Sequence, residues 1–258
     1  MCKIIVVAAQ KGGVGKTSTV RNLSYSLAEL GKRVLAVDFD PQFSLTTCFG
    51  VDDPEKLEHT TATLMTTLLE DKELPPKAAF IHTVGKVDLI PSSIQLSVIE
   101  ANLRLEMGSE HLFANLLESL RGDYDYILVD TCPSLGTLTI SALTAADEVM
   151  IPVNPQLLAV MGLQELTKTI LKIKRRLNPR IKFGGILFTM CDKRTNLYKE
   201  ISSQVDAAYR SGMRIFDNRI PTTVKVGEAN GLGLSVMEYD NKSPAALAYM
   251  ELAKEVLS

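Results

Sequence analysis

The first thirty residues leave this chain few folding options. Lys3-Ile4-Ile5-Val6-Val7-Ala8-Ala9 is a short apolar, β-branched run of the kind that becomes a buried parallel strand, and Thr17 to Leu30 reads as a helix stopped at Gly31. Between them stands Lys11-Gly12-Gly13-Val14-Gly15-Lys16-Thr17-Ser18. Gly12, Gly13 and Gly15 let a backbone turn sharply with its N–H groups pointing inward, so a loop here surrounds phosphate oxygens at the positive end of the helix dipole. Lys16 is then placed to neutralise β- and γ-phosphates, and the Thr17 hydroxyl to ligate Mg²⁺.

The remainder of the chain repeats the strand-then-helix rhythm. Arg33 to Asp38, Val87 to Pro91, Tyr126 to Asp130, Glu148 to Val153 and Phe183 to Thr189 are apolar strand candidates separated by helical stretches. Asp52 to Phe80 predicts short helices and surface loops. Ser92 to Leu120 predicts a helix interrupted near Gly108, and Pro244 to Leu257 a closing helix after Ser243. With 258 residues, 46% of them hydrophobic, the chain can bury a substantial core. The expectation is one α/β domain over residues 1–258: a mostly parallel twisted β-sheet with helices on both faces.

Charge is distributed unevenly. The formal net charge is -2, yet residues 1–150 carry 12 Lys and Arg against 20 Asp and Glu, while residues 151–258 carry 16 against 10. Between positions 168 and 182 seven basic residues occur with no acid. At helical spacing Leu163, Leu166, Ile170, Ile173 and Leu177 form one apolar stripe, and Lys168, Lys172, Arg175 and Arg176 fall on the opposite side. Such a face is either simply solvated or a footprint for a polyanion, nucleic acid or an anionic membrane surface. No apolar run approaches a membrane span, and the N-terminus enters a strand without a signal-peptide pattern, so a cytoplasmic protein is expected. Cys2, Cys48, Cys132 and Cys191 lack CxxC spacing, which points to ordinary reduced thiols rather than a zinc site.

Asp38 and Asp40 leave the second strand at its carboxyl end, and Asp130 ends another strand in the same way. That edge is where open α/β sheets bind ligands. A single aspartate there is often only a loop or helix cap. Three alongside a phosphate loop form a constellation.

The strict phosphate-loop pattern has glycine where this chain has Gln10, and Lys11 stands five residues before Lys16. In this the loop resembles the deviant Walker A motif, KGGxGK[ST], of the ParA/MinD branch of P-loop ATPases. Asp38-Phe39-Asp40-Pro41-Gln42 resembles that family's DxDPQ segment, and Asp130 its Walker B aspartate. Thr189 to Leu197 is similar to the TMxDxRTNL segment of the Soj-like partitioning proteins, Ile220 to Ala229 to their IPRxVRLxEA, and Tyr239-Asp240 with Ser243 to YDPxS. The resemblance covers nearly the whole chain. It implies an ATP hydrolase using Mg²⁺, in which Lys11 reaches across a homodimer to the nucleotide of the other subunit. Asp40 would orient or deprotonate the attacking water, Asp38 would support the metal's water shell, and Asp130 would hold Mg²⁺ through water. Pro221 would approach the adenine, and Arg194 and Lys225 would touch DNA, with Lys172, Arg175 and Arg176 adding charge. Thr222 departs from the pattern, which has arginine there. The implied partners are nonspecific double-stranded DNA and a ParB-like centromere-binding protein, with nucleoid association following from the DNA.

Two other classes compete. A MinD-like regulator needs an amphipathic C-terminal anchor, and Tyr249 to Ser258 is too acidic and too short of aromatics for one. A nitrogenase-reductase-like protein needs two cluster cysteines per subunit, and only Cys132 stands in a suitable place. Only ten residues precede the loop, so an N-terminal helix-turn-helix domain for operator binding is not expected.

Overall fold

The computed structural model describes residues 2–157 and 159–258. Its strands are β1 (Lys3–Val7), β2 (Val34–Phe39), β3 (His82–Val84), β4 (Val87–Ile90), β5 (Tyr126–Thr131), β6 (Glu148–Val153) and β7 (Lys182–Phe188). The helices are α1 (Lys16–Glu29), α2 (Ser44–Cys48), α3 (Thr61–Leu69), α4 (Lys77–Phe80), α5 (Leu96–Leu103), α6 (Leu112–Glu118), α7 (Thr137–Ala145), α8 (Ala159–Arg176), α9 (Asn196–Tyr209), α10 (Lys225–Gly231), α11 (Val236–Tyr239) and α12 (Pro244–Leu257). The seven strands form one sheet in the order β3-β4-β2-β5-β1-β6-β7. Every adjacent pair is parallel except the β3–β4 hairpin at one edge.

The strands are nearly all apolar because both faces of the sheet are covered, as parallel crossovers require. Alternate residues therefore enter different layers. Ile4, Val6, Leu35, Val37, Ile127 and Val129 pack with α3, α6, α7 and α8 on one side. Ile5, Val7, Val34, Ala36 and Leu128 pack with α1, α2 and α12 on the other. Burying each of the large α1 side chains Val20, Leu23 and Leu27, all fully enclosed, contributes about 1.5–3 kcal/mol.

This alternation decides where the polar groups go. Asp38 follows Ala36 by two residues and Asp130 follows Leu128 by two, so both carboxylates emerge on the α1 face. Asp38 and Asp130 are register partners across β2 and β5, and Val7, which leads into the glycine loop, pairs with Asp130. The central strands thus deliver the loop and two aspartates to one point on the carboxyl edge.

Strand boundaries differ from the sequence expectation by one or two residues, and the helix expected from Ser92 begins only at Leu96. The second strand runs Val34–Phe39 rather than Arg33 to Asp38, and the first ends at Val7 as the chain turns into the loop. The interruption near Gly108 is present: α5 ends at Leu103, and Gly108 has φ 78°, a left-handed conformation suited to glycine, before a short 3-10 turn leads into α6. Strand β3 was not anticipated, since three half-exposed residues with a histidine carry no apolar alternation.

Candidate nucleotide-binding site

Between β1 and α1 the glycine loop adopts the geometry its composition demands. Gly13 and Gly15 have φ of 70° and 84°, a region costly for any residue with a Cβ. Gly15 caps α1 without a side-chain hydrogen bond, so the first N–H groups of the helix stay available to an anion. The loop is pinned from just past the end of β7, where the Thr189 hydroxyl donates to the Val14 carbonyl at 2.8 Å. Lys16 is buried, only 7% exposed. A lysine enclosed at a helix N-terminus is a strong site for phosphate charge.

Around it the acidic groups converge. The Thr17 hydroxyl donates to Asp130 Oδ2 at 2.6 Å, while Asp130 Oδ1 is buried with no partner. Burial pushes the Asp130 carboxyl well above the usual range, the nearby Asp38 charge adds to this, and Thr17 and Lys16 oppose it. Asp38 is also raised, again chiefly by burial. Its Oδ2 accepts from the Thr46 N–H at 2.8 Å and the Thr46 hydroxyl at 2.7 Å, and its Oδ1 from the Asp40 N–H at 3.1 Å. Two enclosed carboxylates repelling each other beside a hydroxyl, one with an orphaned oxygen, are a donor set that fits a hard divalent cation such as Mg²⁺.

Asp40 lies just outside this pair, 7% exposed, with Oδ1 accepting from the Gln42 N–H at 2.9 Å. The turn that carries it is strained: Phe43, whose N–H donates to the Asp40 carbonyl, has φ 43°. Strain of this kind costs on the order of 1–3 kcal/mol and gathers at functional loops. Lys11, by contrast, is exposed, and its ammonium donates to Gln156 Oε1 at 2.6 Å at the entrance to α8.

Beside the loop a cavity of about 300 Å³ is lined by Ser18, Met190, Pro221, Thr222, Val226 and Asn230, among others. Its mostly apolar walls continue from the phosphate loop and suit a planar base. Pro221 is brought there by a bridge to Cys191. Thr222 lines the same cavity, so the departure from arginine falls at the pocket wall.

The basic candidates are dispersed. Lys172, Arg175 and Arg176 stand exposed on α8, opposite the buried Leu163, Leu166, Ile170 and Ile173. Arg194 is exposed but folded onto Asp192, with Nε to Oδ1 and Nη2 to Oδ2 both 2.9 Å. Lys225 is ion-paired with Asp240. Neither pairing is legible from spacing alone. Sequence reasoning also missed Thr46, which holds Asp38, and Gln156, which holds Lys11. A hydroxyl in a Thr-Thr pair and an amide after proline carry no pattern of their own. Among the described residues no helix is long and apolar enough to cross a membrane.

A parallel sheet, a glycine loop at a helix N-terminus and carboxylates at adjoining strand ends define a P-loop nucleotide hydrolase. Residues 2–183 match the family described as AAA domain. The chain is 39% identical to the sporulation initiation inhibitor protein Soj of Bacillus subtilis, across 99% of this chain and 98% of that one. It is 36% identical to the chromosome partitioning protein ParA of Caulobacter vibrioides, across 99% and 94%. Among solved structures, cobyrinic acid a,c-diamide synthase from Mycobacterium smegmatis with bound ADP and magnesium superposes with a TM-score of 0.85, at 34% identity over 100% of this chain and 94% of that one. The chain belongs to the ParA/Soj family of P-loop ATPases and is an ATP hydrolase of that class.

Proposed function

We propose that this ATPase partitions DNA: bound to magnesium and ATP it closes into a homodimer, the dimer holds double-stranded DNA without sequence preference, and hydrolysis releases it. A ParB-like centromere-binding protein on the cargo would stimulate hydrolysis, so that a plasmid, chromosome or integrated element is moved along the nucleoid. The observation that carries this reading is the Lys11–Ser18 loop, in which Lys16 is buried beside Thr17 and Asp130 while Lys11 is exposed on the outer face. A lysine exposed on its own loop and tied to the Gln156 amide can exchange that bond for a phosphate held by a second copy. Full-length likeness to Soj and ParA supports the partitioning role.

In this reading the α1 N-terminus and Lys16 bind the β- and γ-phosphates, and Pro221 with the cavity around it receives the adenine. Mg²⁺ would be held by Thr17 and, through water, by Asp130 and Asp38, and would neutralise charge developing on the phosphates. Asp40 orients the attacking water. DNA contact falls to exposed Lys172, Arg175 and Arg176, because Arg194 and Lys225 must first exchange Asp192 and Asp240 for phosphate. The apolar residues Tyr249, Leu252, Ala253 and Val256 of α12 are buried in the layer that holds α1, so these side chains are not available to a membrane surface. Light scattering tests the cycle: a dimer with Mg-ATP and a monomer with Mg-ADP are expected, and a mass indifferent to nucleotide would overturn it.

A further inference from the structure

One charged side chain in the core is left unexplained by nucleotide binding. Arg21 lies one helical turn beyond Thr17 on α1 and is 1% exposed. Its Nε donates to the Cys48 carbonyl at 3.1 Å, and its Nη2 to the Gly233 carbonyl and to Glu238 Oε2, both at 3.0 Å. The guanidinium also lies over the Phe49 ring, 4.2 Å from its centroid. Burying a charge in this way is costly, and replacement of such a pair by apolar residues is often neutral for stability. A buried charge at this position calls for another role.

The partners supply one. Cys48 ends α2, whose Thr46 grips the Asp38 carboxylate by both its N–H and its hydroxyl. Gly233 and Glu238 belong to the segment following α10, and there the two backbones touch. Gly50 and Gly233 both have positive φ, 80° and 70°, and a Cβ on Gly233 would lie 2.8 Å from the Gly50 Cα. Arg21 donates to a carbonyl on each side of this glycine contact, and Glu238 fixes the guanidinium. Glu238 is itself held, since its Oε2 also accepts from the Ser235 N–H at 2.8 Å. The helix that starts at the phosphate loop thus grips the far end of the short helix that steadies the aspartates.

We propose that Arg21, fixed by Glu238, is a positioning residue that sets the Asp38–Thr46 segment relative to the phosphate loop. Its hydrogen bonds go to Cys48, Gly233 and Glu238 rather than to the phosphate loop or the aspartates. The inference rests on the nucleotide-site reading above, and its effect is on turnover rather than on affinity, because the groups that bind phosphate lie on α1 and in the loop itself.

The test is R21M combined with E238M, an apolar pair of similar volume, together with R21K, which keeps the cation and stem but not the planar fork. Mg-ADP affinity should stay within about threefold while single-turnover ATP hydrolysis falls about tenfold or more, the split expected when alignment alone is lost. Hydrogen exchange at the Thr46–Cys48 amides should quicken about tenfold or more, with β5 amides unchanged. This arm needs no hydrolysis, so it separates the role of Arg21 from the site reading, which fails if wild-type protein does not hydrolyse ATP. Folded variants with hydrolysis within about twofold of wild type and unchanged α2 exchange would overturn the proposal. Failure of both variants to fold would also overturn it, by making the pair a determinant of the fold rather than of the loop.

Discussion

Thr46 is the residue whose replacement most sharply tests how the aspartates are held. Its hydroxyl does two things at once: it donates to Asp38 Oδ2 at 2.7 Å and accepts from the Ser92 N–H at 2.9 Å. Both neighbours are fully buried. Thr46→Val preserves shape and removes both bonds, leaving the Ser92 N–H without an acceptor and Asp38 with one donor fewer. An orphaned buried donor costs about 1–3 kcal/mol, and a hydrogen bond to a charged group about 1.5–3 kcal/mol, so a loss near 3 kcal/mol is expected. With an unfolding entropy of about 2.1 cal/mol/K per residue, that lowers the Tm of a chain this size by about 6 °C. Calorimetry on the nucleotide-free protein measures it. Thr46→Ser keeps the hydroxyl and should lose less than about 1.5 kcal/mol. If Thr46→Val melted within about 1 °C of wild type, the buried chain from Ser92 through Thr46 to Asp38 would not be what steadies the site.

Three further substitutions separate binding, assembly and chemistry. Lys16→Ala should abolish ATP binding, since one buried side chain compensates several phosphate charges; wild-type affinity in calorimetric titration would refute the phosphate-loop assignment. Lys11→Ala should bind ATP yet form no ATP-dependent dimer by light scattering, and a dimer as stable as wild type would contradict action across the interface. Asp40→Ala should bind ATP and remain trapped as the dimer, because water positioning is lost while phosphate contacts stay. Hydrolysis at the wild-type rate in that variant would move the water-orienting role to Asp38.

Why so much was readable in advance follows from where the constraints lie. The loop is local: Gly13 and Gly15 need positive φ, Lys16 and Thr17 follow at fixed spacing, and flanking hydrophobicity sets strand and helix. The positions of Asp38 and Asp130 were legible because each stands at the carboxyl end of an apolar strand, the edge where open α/β sheets bind ligands, and the roles expected of them came from the resemblance to the ParA/MinD branch. What was hidden depends on contacts between segments distant in sequence. Arg21 reads as one polar residue in a helix until Cys48, Gly233 and Glu238 fold around it. The neutralisation of Arg194 by Asp192 is local, yet spacing did not reveal which way the side chain turns. Strand β3 exists because Val87–Ile90 offers an edge to pair with, not because its own residues favour a strand.

The central claim is that nucleotide state controls DNA holding, and a mobility-shift titration of nonspecific duplex DNA tests it directly. With Mg-ATP at low salt the protein should bind, and with Mg-ADP it should not. Affinity should fall steeply as salt rises and phosphate contacts give way to counterions. Reversing charge at Lys172 and Arg175 to glutamate should weaken binding to all sequences alike while ATP binding is unchanged. No DNA binding with ATP, or equal binding in every nucleotide state, would contradict the account.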